Sequence, residues 1–212
     1  GDIFYELGVV NEAEHVYCEE LANGQAHPHL LKKLVRTNLV RGRTDAARVF
    51  LRILQKDVVW HRWAARFLDA LERTGSPPDP EIAAARGRCL QEDFVSVSCP
   101  AERIFHLLLL TNPDNCLAFD CLMTLYLMTG DLSPFVENLR VMDRFGYRQI
   151  PPPYEEAIIL YQALGGRELR LPGRTVSPTA LARWAAFRAD LMEFRRKVEA
   201  NLADEREMIR FL

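Results

Sequence analysis

The 212-residue chain lacks an apolar run long enough to cross a bilayer, which takes about 20 consecutive apolar residues in a helix. Its run of four leucines, Leu107 to Leu110, suits a buried helix instead. A surplus of one charge is lacking too, because 27 lysines and arginines stand against 29 aspartates and glutamates, a formal net charge of -2. Such a balance gives no general reason to expect nucleic acid as a partner. We expect membrane contact only through a segment outside this chain.

Signals for disulfide bonds are also lacking. The number of cysteines is odd and no CxxC pair occurs, so a disulfide framework is not expected. Free cysteine is among the most buried residue types, which predicts small buried hydrophobes at these positions. The five cysteines are Cys18, Cys89, Cys99, Cys116 and Cys121.

The motifs of common enzymes are missing: GxSxG, HExxH, a glycine-rich phosphate loop and a dinucleotide fingerprint. We therefore assign no catalytic residue, no cofactor and no metal. Glu155 and Glu156 are adjacent, and adjacent side chains on a helix diverge by about 100°, so this pair fits the solvent-facing start of a helix better than an acid–base pair. His15 and Cys18 lie one helical turn apart, but a zinc site needs about three or four ligands and no second pair has suitable spacing.

What the chain does contain is a repeat. A glycine, an alanine and an aromatic residue or leucine recur after 34 residues, the period of tetratricopeptide (TPR) units. These positions are Gly8, Ala13 and Tyr17, and then Gly42, Ala47 and Leu51. Each such unit is a pair of antiparallel helices that cannot bury its apolar face alone, so neighbouring units must stack.

A similar register returns in the middle of the chain. Its positions are Ala101, Phe105, Leu109 and Pro113, followed by Phe119, Leu122, Tyr126 and Gly130. We predict that Ala13, Ala47 and Ala101 are buried where two helices approach closely. The fold class that follows is all-α, a TPR-like right-handed superhelical solenoid of antiparallel helix pairs. We expect one domain, 1–212.

Two segments depart from this repeat. Residues 75–99 do not fit a 34-residue unit, and we expect extended loop from Phe94 to Cys99, with a second extended piece near Glu168 to Leu171. Ser177 and Pro178 have the residue types of a helix N-cap and first position. They predict a long terminal helix, about 177–205, whose charged tail suits a capping helix with a solvated outer face.

Three longer segments resemble a known family. They are VVWHRWAARF (58–67), NPDNCLAFDCLMTLYLMTGDLSPF (112–135) and FGYRQIPPPYEEAIILY (145–161), together 51 of the 212 residues. They are similar to an uncharacterised family of Bacteroidota proteins, a domain of unknown function. The resemblance implies a multi-pass membrane region followed by a soluble TPR-like tail, on either side of the membrane, and it implies no activity. The chain starts at Gly1 rather than methionine, so we expect it to be a fragment with Gly1 added in cloning.

The concave face of a TPR-like solenoid is its usual binding surface. Helical spacing places Lys32, Lys33 and Arg36 opposite the leucines of their helix, and Asp120 and Thr124 take comparable positions in a later unit. Arg62 and Arg66 extend this basic strip, whereas Trp60 and Trp63 are assigned to packing. Lysine and arginine favour an acidic peptide or a free carboxylate. The asparagines of carboxylate-clamp TPR domains are lacking, and a solvated face is the alternative interpretation.

The function predicted from these features is a non-catalytic protein–protein interaction or scaffolding module, the soluble tail of a larger membrane-anchored protein. Its ligand would be a protein or peptide. The alternative is an accessory or sensor domain of a membrane enzyme whose catalytic part lies upstream. A hydrolase hidden in a groove is a third hypothesis, with no motif in its favour.

Overall fold

The structure, a computed structural model, describes residues 1–75, 77, 79–90, 99–169 and 171–210. Over these ranges it contains eleven α-helices, one 3-10 helix and no β-strand. An isolated antiparallel bridge joins Leu171 to Arg174, close to the predicted extended piece. The all-α class is therefore confirmed for the described part of the chain. The loop predicted at Phe94–Cys99 lies outside the described residues except for Cys99.

The chain divides into two compact units, Gly1–Leu125 and Tyr126–Leu212. Six helices form most of the first unit: α1 Asp2–Leu7, α2 Val10–Ala22, α3 Pro28–Val40, α4 Thr44–Leu54, α5 His61–Thr74 and α6 Pro80–Arg88. It continues with α7 Ala101–Thr111 and α8 Cys116–Thr129, inside which the division falls. The second unit contains α9 Leu132–Asn138, the 3-10 helix Leu139–Phe145, α10 Pro152–Ala163 and α11 Pro178–Arg210. The single-domain prediction stays a prediction.

Helix α3 lies at the centre of the first unit. It begins where the sequence favours a start, because His27 Nδ1 accepts a hydrogen bond from Leu30 N at 3.1 Å and Pro28 opens the first turn. Leu30, Leu34 and Leu39 are completely buried. Helices α2, α4 and α6 all pack against α3. A helix covered from several sides needs apolar residues around more than one stripe, and α3 has them.

Helix α6 turns back onto α1 and α3. Leu90 N donates to Gly8 O at 3.1 Å, just beyond the end of α6. Gly8 has a φ of 94°, and a methyl group there would overlap the carbonyl oxygen of Arg88. Only glycine combines this backbone conformation with so close an approach. In a simple solenoid each unit contacts its neighbours alone, so the return of α6 departs from that pattern.

The second unit depends on a buried carboxylate. Glu155 accepts hydrogen bonds from Ser177 N at 2.7 Å and from Ser177 Oγ at 2.8 Å. Ser177 Oγ in turn accepts from Ala180 N at 3.2 Å, so Ser177 caps α11 as its sequence predicts. Arg174 is bonded to Asp143 and to the carbonyl of Tyr147. The bonds of Glu155 hold the start of α11 against α10, and those of Arg174 hold the preceding segment against the 3-10 helix and Tyr147.

Two sequence predictions about buried small residues need correction. Ala13 and Ala47 are fully buried as expected, but Ala101 is exposed at the first position of α7. An exposed alanine does not mark a close approach of two helices, so the equivalence of Ala101 with Ala13 and Ala47 fails. The predicted burial of the cysteines is wrong for Cys18 and Cys116, which are exposed, whereas Cys89 is buried and Cys99 and Cys121 are half-buried. All five thiols are free.

We predict that Ala47→Leu lowers the free energy of unfolding by roughly 1–3 kcal/mol, because added carbons overpack a fully buried position. Ala101→Leu is the matched control, since the same substitution at an exposed helix position needs no rearrangement. Urea unfolding of the three proteins measures both effects. Equal stability of Ala47→Leu and the parent would contradict the close approach of helices at Ala47.

We predict that Gly8→Ala destabilises the chain more than Gly42→Ala does. Both glycines have positive φ, and the left-handed conformation costs an alanine about 1–2 kcal/mol. Only at Gly8 does the added methyl group also meet backbone, whereas nothing lies within 4 Å of it at Gly42. The same unfolding measurement gives the difference, and an equal loss at both sites would rule out the tight contact between α1 and α6.

Candidate functional site

The predicted basic residues Lys33 and Arg36 line one cleft in the first unit, with a volume of about 290 Å³. Lys33 Nζ lies 2.8 Å from each carboxylate oxygen of Asp2. Tyr17 Oη donates to Asp2 Oδ1 at 2.6 Å. These bonds, from Lys33 first and Tyr17 second, hold the pKa of Asp2 below its usual range. Burial, and then the hydrogen bond to the Asp2 carboxylate, raise the pKa of Tyr17.

Arg36 forms a bidentate ion pair with Glu81 on α6. The distances are 2.7 Å from Nη1 to Oε1 and 2.6 Å from Nη2 to Oε2. Asp79, the N-cap of α6, lies 3.7 Å from Nη2. Two carboxylates therefore compensate a guanidinium that the sequence assigned to ligand binding. The main role of Arg36 in this geometry is to hold α3 and α6 together.

A buried hydroxyl lies in the wall of this cleft. Tyr5 is 6% exposed, and its hydroxyl has no hydrogen-bond partner among the described residues. Burial, with the nearby carboxylate of Glu81, raises the pKa of Tyr5 to about 12. The group is a neutral donor at physiological pH. It offers the cleft a polar contact and no acid–base chemistry.

Lys32 belongs to an aromatic group beside the cleft. Its ammonium lies 4.3 Å from the ring centre of Trp60 and 5.4 Å from that of Trp63. Burial, and then the charge of Arg36, lower the pKa of Lys32. Both tryptophans are half-buried against the core, as the packing assignment predicts. A cation over aromatic rings is stabilised where it lies and is less available to an acidic peptide.

The remaining predicted residues do not join this cleft. Arg62 and Arg66 are exposed on α5, and Thr124 is exposed on α8. Asp120 accepts a hydrogen bond from Cys116 Sγ at 3.8 Å, one turn earlier on α8. The basic strip thus stays a prediction. Two of its residues, Lys33 and Arg36, share a cleft and already form ion pairs within the chain.

Metal-ligating side chains are scattered across the described residues, which contain no group of three histidines, cysteines, aspartates or glutamates able to hold a metal ion. His15 Nε2 lies 3.2 Å from Glu19 Oε1 on the surface of α2. Burial raises the pKa of the Cys18 thiol, and Glu14 adds to the shift. A thiol held protonated in this way is a poor nucleophile.

A larger and more apolar surface lies in the second unit, between α10 and α11. Its cavity has a volume of about 620 Å³. The lining residues are Leu127, Gly130, Leu132, Glu156, Ala157, Ile159, Leu160, Leu164, Arg183, Trp184 and Phe187. We call this surface the apolar groove. Leu164 and Phe187 are 74% and 55% exposed, so its walls are open to solvent.

One ion pair crosses from α10 to α11 beside the apolar groove. Glu156 Oε1 lies 2.8 Å from Arg183 Nη2, and both side chains are more than half exposed. The two charges cancel, so the groove has no charge preference of its own. This surface is not part of the basic strip predicted from the sequence, although Trp184, Phe187 and Leu191 follow one another at the spacing of a helix face.

Comparison with known proteins adds one finding. The model of a family of unknown function (DUF6057) matches residues 1–206. The chain belongs to the DUF6057 family. No curated protein and no solved structure matches it. Among the helices of this DUF6057 chain that the structure describes, none is long and apolar enough to span a membrane.

The hydrogen bonds of Asp2 with Lys33 and Tyr17 predict how the Asp2 carboxyl titrates. A carboxyl whose pKa is lower in the folded chain stabilises the fold above its unfolded pKa and loses that contribution as the pH falls through the folded value. We expect the Asp2 carboxyl signal in an NMR titration to shift at unusually low pH. Lys33→Met should raise this pKa more than Tyr17→Phe does, because the lysine bond is the larger cause.

Lys56→Met serves as the control, since Lys56 is exposed on the surface of the first unit. An Asp2 pKa that stays the same in Lys33→Met would contradict the ion pair. The effect on stability is small, because the Asp2 side chain is 67% exposed and water screens the pair.

Proposed function

We propose that this chain is a non-catalytic protein-binding module whose apolar groove holds an amphipathic helix. The observation that carries the proposal is the groove of about 620 Å³, walled by exposed leucines and aromatic rings on two neighbouring helices. Amphipathic helices bind in such grooves through apolar side chains spaced three and four residues apart. Two neighbouring helices offer the ridges and grooves that a third helix needs.

The open walls favour a helix over a small molecule. Small-molecule sites of this volume bury about 70–90% of the ligand's surface. Leu160, Leu164 and Phe187 all remain substantially exposed, so a small ligand would keep one side in water. A helix would instead cover the walls along their length. The Glu156–Arg183 pair would then lie at the polar rim that such interfaces usually have.

We also propose a TPR-like arrangement for the first unit and a membrane anchor outside this chain. The 34-residue recurrence and the packing of α1 on α2, α2 on α3, and α3 on α4 support a TPR-like arrangement in the first unit. The resemblance to Bacteroidota proteins supports a soluble tail of a membrane-anchored protein. The acidic-peptide hypothesis for Lys32, Lys33 and Arg36 is weaker, because carboxylates of the chain itself already compensate Lys33 and Arg36. No observation favours the accessory-domain alternative.

A photo-crosslinking amino acid at Leu164 tests the proposal in the native host. The matched control places it at Val141, which is also exposed in the second unit but does not line the groove. We expect protein adducts at Leu164 and not at Val141. Sequencing of the crosslinked segment should show apolar residues at helical spacing. Equal yields at both positions, or no protein adduct at Leu164, would contradict the proposal.

We predict that Leu164→Glu separates binding from stability. Because Leu164 is 74% exposed, the substitution should change the free energy of unfolding of the chain by no more than about 0.5 kcal/mol. Placing a charge in the apolar groove should nevertheless abolish the adducts formed by a crosslinker at Phe187. Circular dichroism with urea checks the fold. Unchanged adducts at Phe187 would show that the groove does not need its apolar wall.

A further inference from the structure

The terminal helix α11 carries a row of apolar residues at alternating intervals of three and four. The row consists of Trp184, Phe187, Leu191, Phe194 and Val198. We call it the α11 seam. These intervals are those of the a and d positions of a heptad, the pattern by which two helices pair along one line. Over 184–198 the seam runs about 21 Å along the helix.

Only the first part of the α11 seam faces other helices of the second unit. Trp184 and Phe187 line the apolar groove, but the last three residues do not appear in its lining. Leu191, Phe194 and Val198 are 51%, 65% and 39% exposed. Single exposed apolar residues are ordinary, whereas a continuous exposed row with a rim of charge marks an interaction surface.

The residues that flank the seam identify its partner. With Trp184 and Leu191 at a positions, Asp190 takes a g position and Arg195 the e position of the next heptad. In a parallel pair of identical helices, each g residue faces that e residue on the other helix. Asp190 of one copy then faces Arg195 of the second, and symmetry repeats this attraction. We propose that the α11 seam binds the same seam of a second copy of this chain, in parallel.

An antiparallel pair is disfavoured by the same charges. It would bring e positions of the two helices together, and both Arg188 and Arg195 are at e positions. Like charges in contact across a helix pair are destabilising. The parallel pair has one unfavourable encounter, Arg183 with Arg188, but Glu156 already compensates Arg183 at 2.8 Å.

Ion pairs within α11 do not block this arrangement. Arg195 lies 2.8 Å from Glu199 and Lys197 lies 2.7 Å from Glu193, all on exposed side chains. Exposed pairs of this kind contribute little to the stability of a helix. A guanidinium has donors enough to keep Glu199 while it bonds to the second copy's Asp190.

This inference rests on the proposed function, because Trp184 and Phe187 belong to both the seam and the apolar groove. It names the occupant: the helix beside α11 is the α11 of a second copy. The seam covers two heptads, fewer than the roughly three to four that specify a strong coiled coil. We therefore expect a weak dimer, with dissociation in the micromolar range.

Sedimentation equilibrium of the whole chain, from low to several hundred micromolar, tests the dimer. The parent should follow a monomer–dimer equilibrium. Leu191→Glu and Phe194→Glu should each weaken it at least about tenfold, which corresponds to about 1.4 kcal/mol. Met192→Glu is the matched control, since Met192 is 56% exposed on the same helix but off the seam. A parent that stays monomeric, or equal weakening by Met192→Glu, overturns the inference.

A charge exchange tests the parallel orientation. Asp190→Arg and Arg195→Asp should each weaken the dimer, and the double variant should recover it, because the pair is restored with its signs reversed. Recovery by the double variant supports the parallel pair. No recovery, in proteins whose helical content by circular dichroism equals the parent's, overturns it.

The crosslinker at Leu164 separates this inference from the proposed function. An adduct of twice the chain's mass supports both. An adduct with a different protein, from a chain that is monomeric in sedimentation, supports the binding module and overturns the second copy as occupant. No protein adduct, together with a monomeric chain, overturns both.

Discussion

The burial of α3 is the constraint on which the first unit depends. Its leucines are completely enclosed, and the short helix α6 closes one side of that enclosure. Two polar ties hold α6 in place: Arg36 on α3 binds Glu81 near the start of α6, and Arg86 near its end donates to Leu39 O at 2.7 Å. The close approach at Gly8 completes the contact on the α1 side. A helix of nine residues is marginally stable by itself, so α6 depends on these contacts with its neighbours.

The same ties explain why the candidate binding surface lies elsewhere. Charged groups that pair within a chain give up much of their attraction for a ligand, because a new partner must first replace the old one. Lys33 and Arg36 are in that position. In the second unit Glu155 and Ser177 fix the start of α11, and apolar side chains farther along the helix are left uncovered. The proposed groove and seam follow from that distribution.

Particular residues show how far sequence patterns were informative. Periodicity identified helical segments and residue type identified the cap at Ser177, because both depend on neighbours within a turn or two of chain. Ala13 and Ala47 are buried as the 34-residue recurrence predicts. Ala101 has the same residue type at a similar register and is exposed, since burial of a first-turn residue depends on which distant helix comes near. The predicted burial of Cys18 and Cys116 is wrong for the same reason. The burial typical of a residue type is an average over many environments, and it does not fix the burial of one particular residue.

The sequence by itself determined that the described part of this protein is helical, that its terminal helix begins at Ser177 and Pro178, and which residues on α11 share one face. Those properties come from hydrogen bonds and side-chain spacing within a single helix. Only the tertiary structure decided that Asp2 meets Lys33, that Glu81 meets Arg36 and that the walls of the apolar groove stay open. Such contacts join residues far apart in the chain, and their formation depends on how whole helices pack rather than on any local pattern.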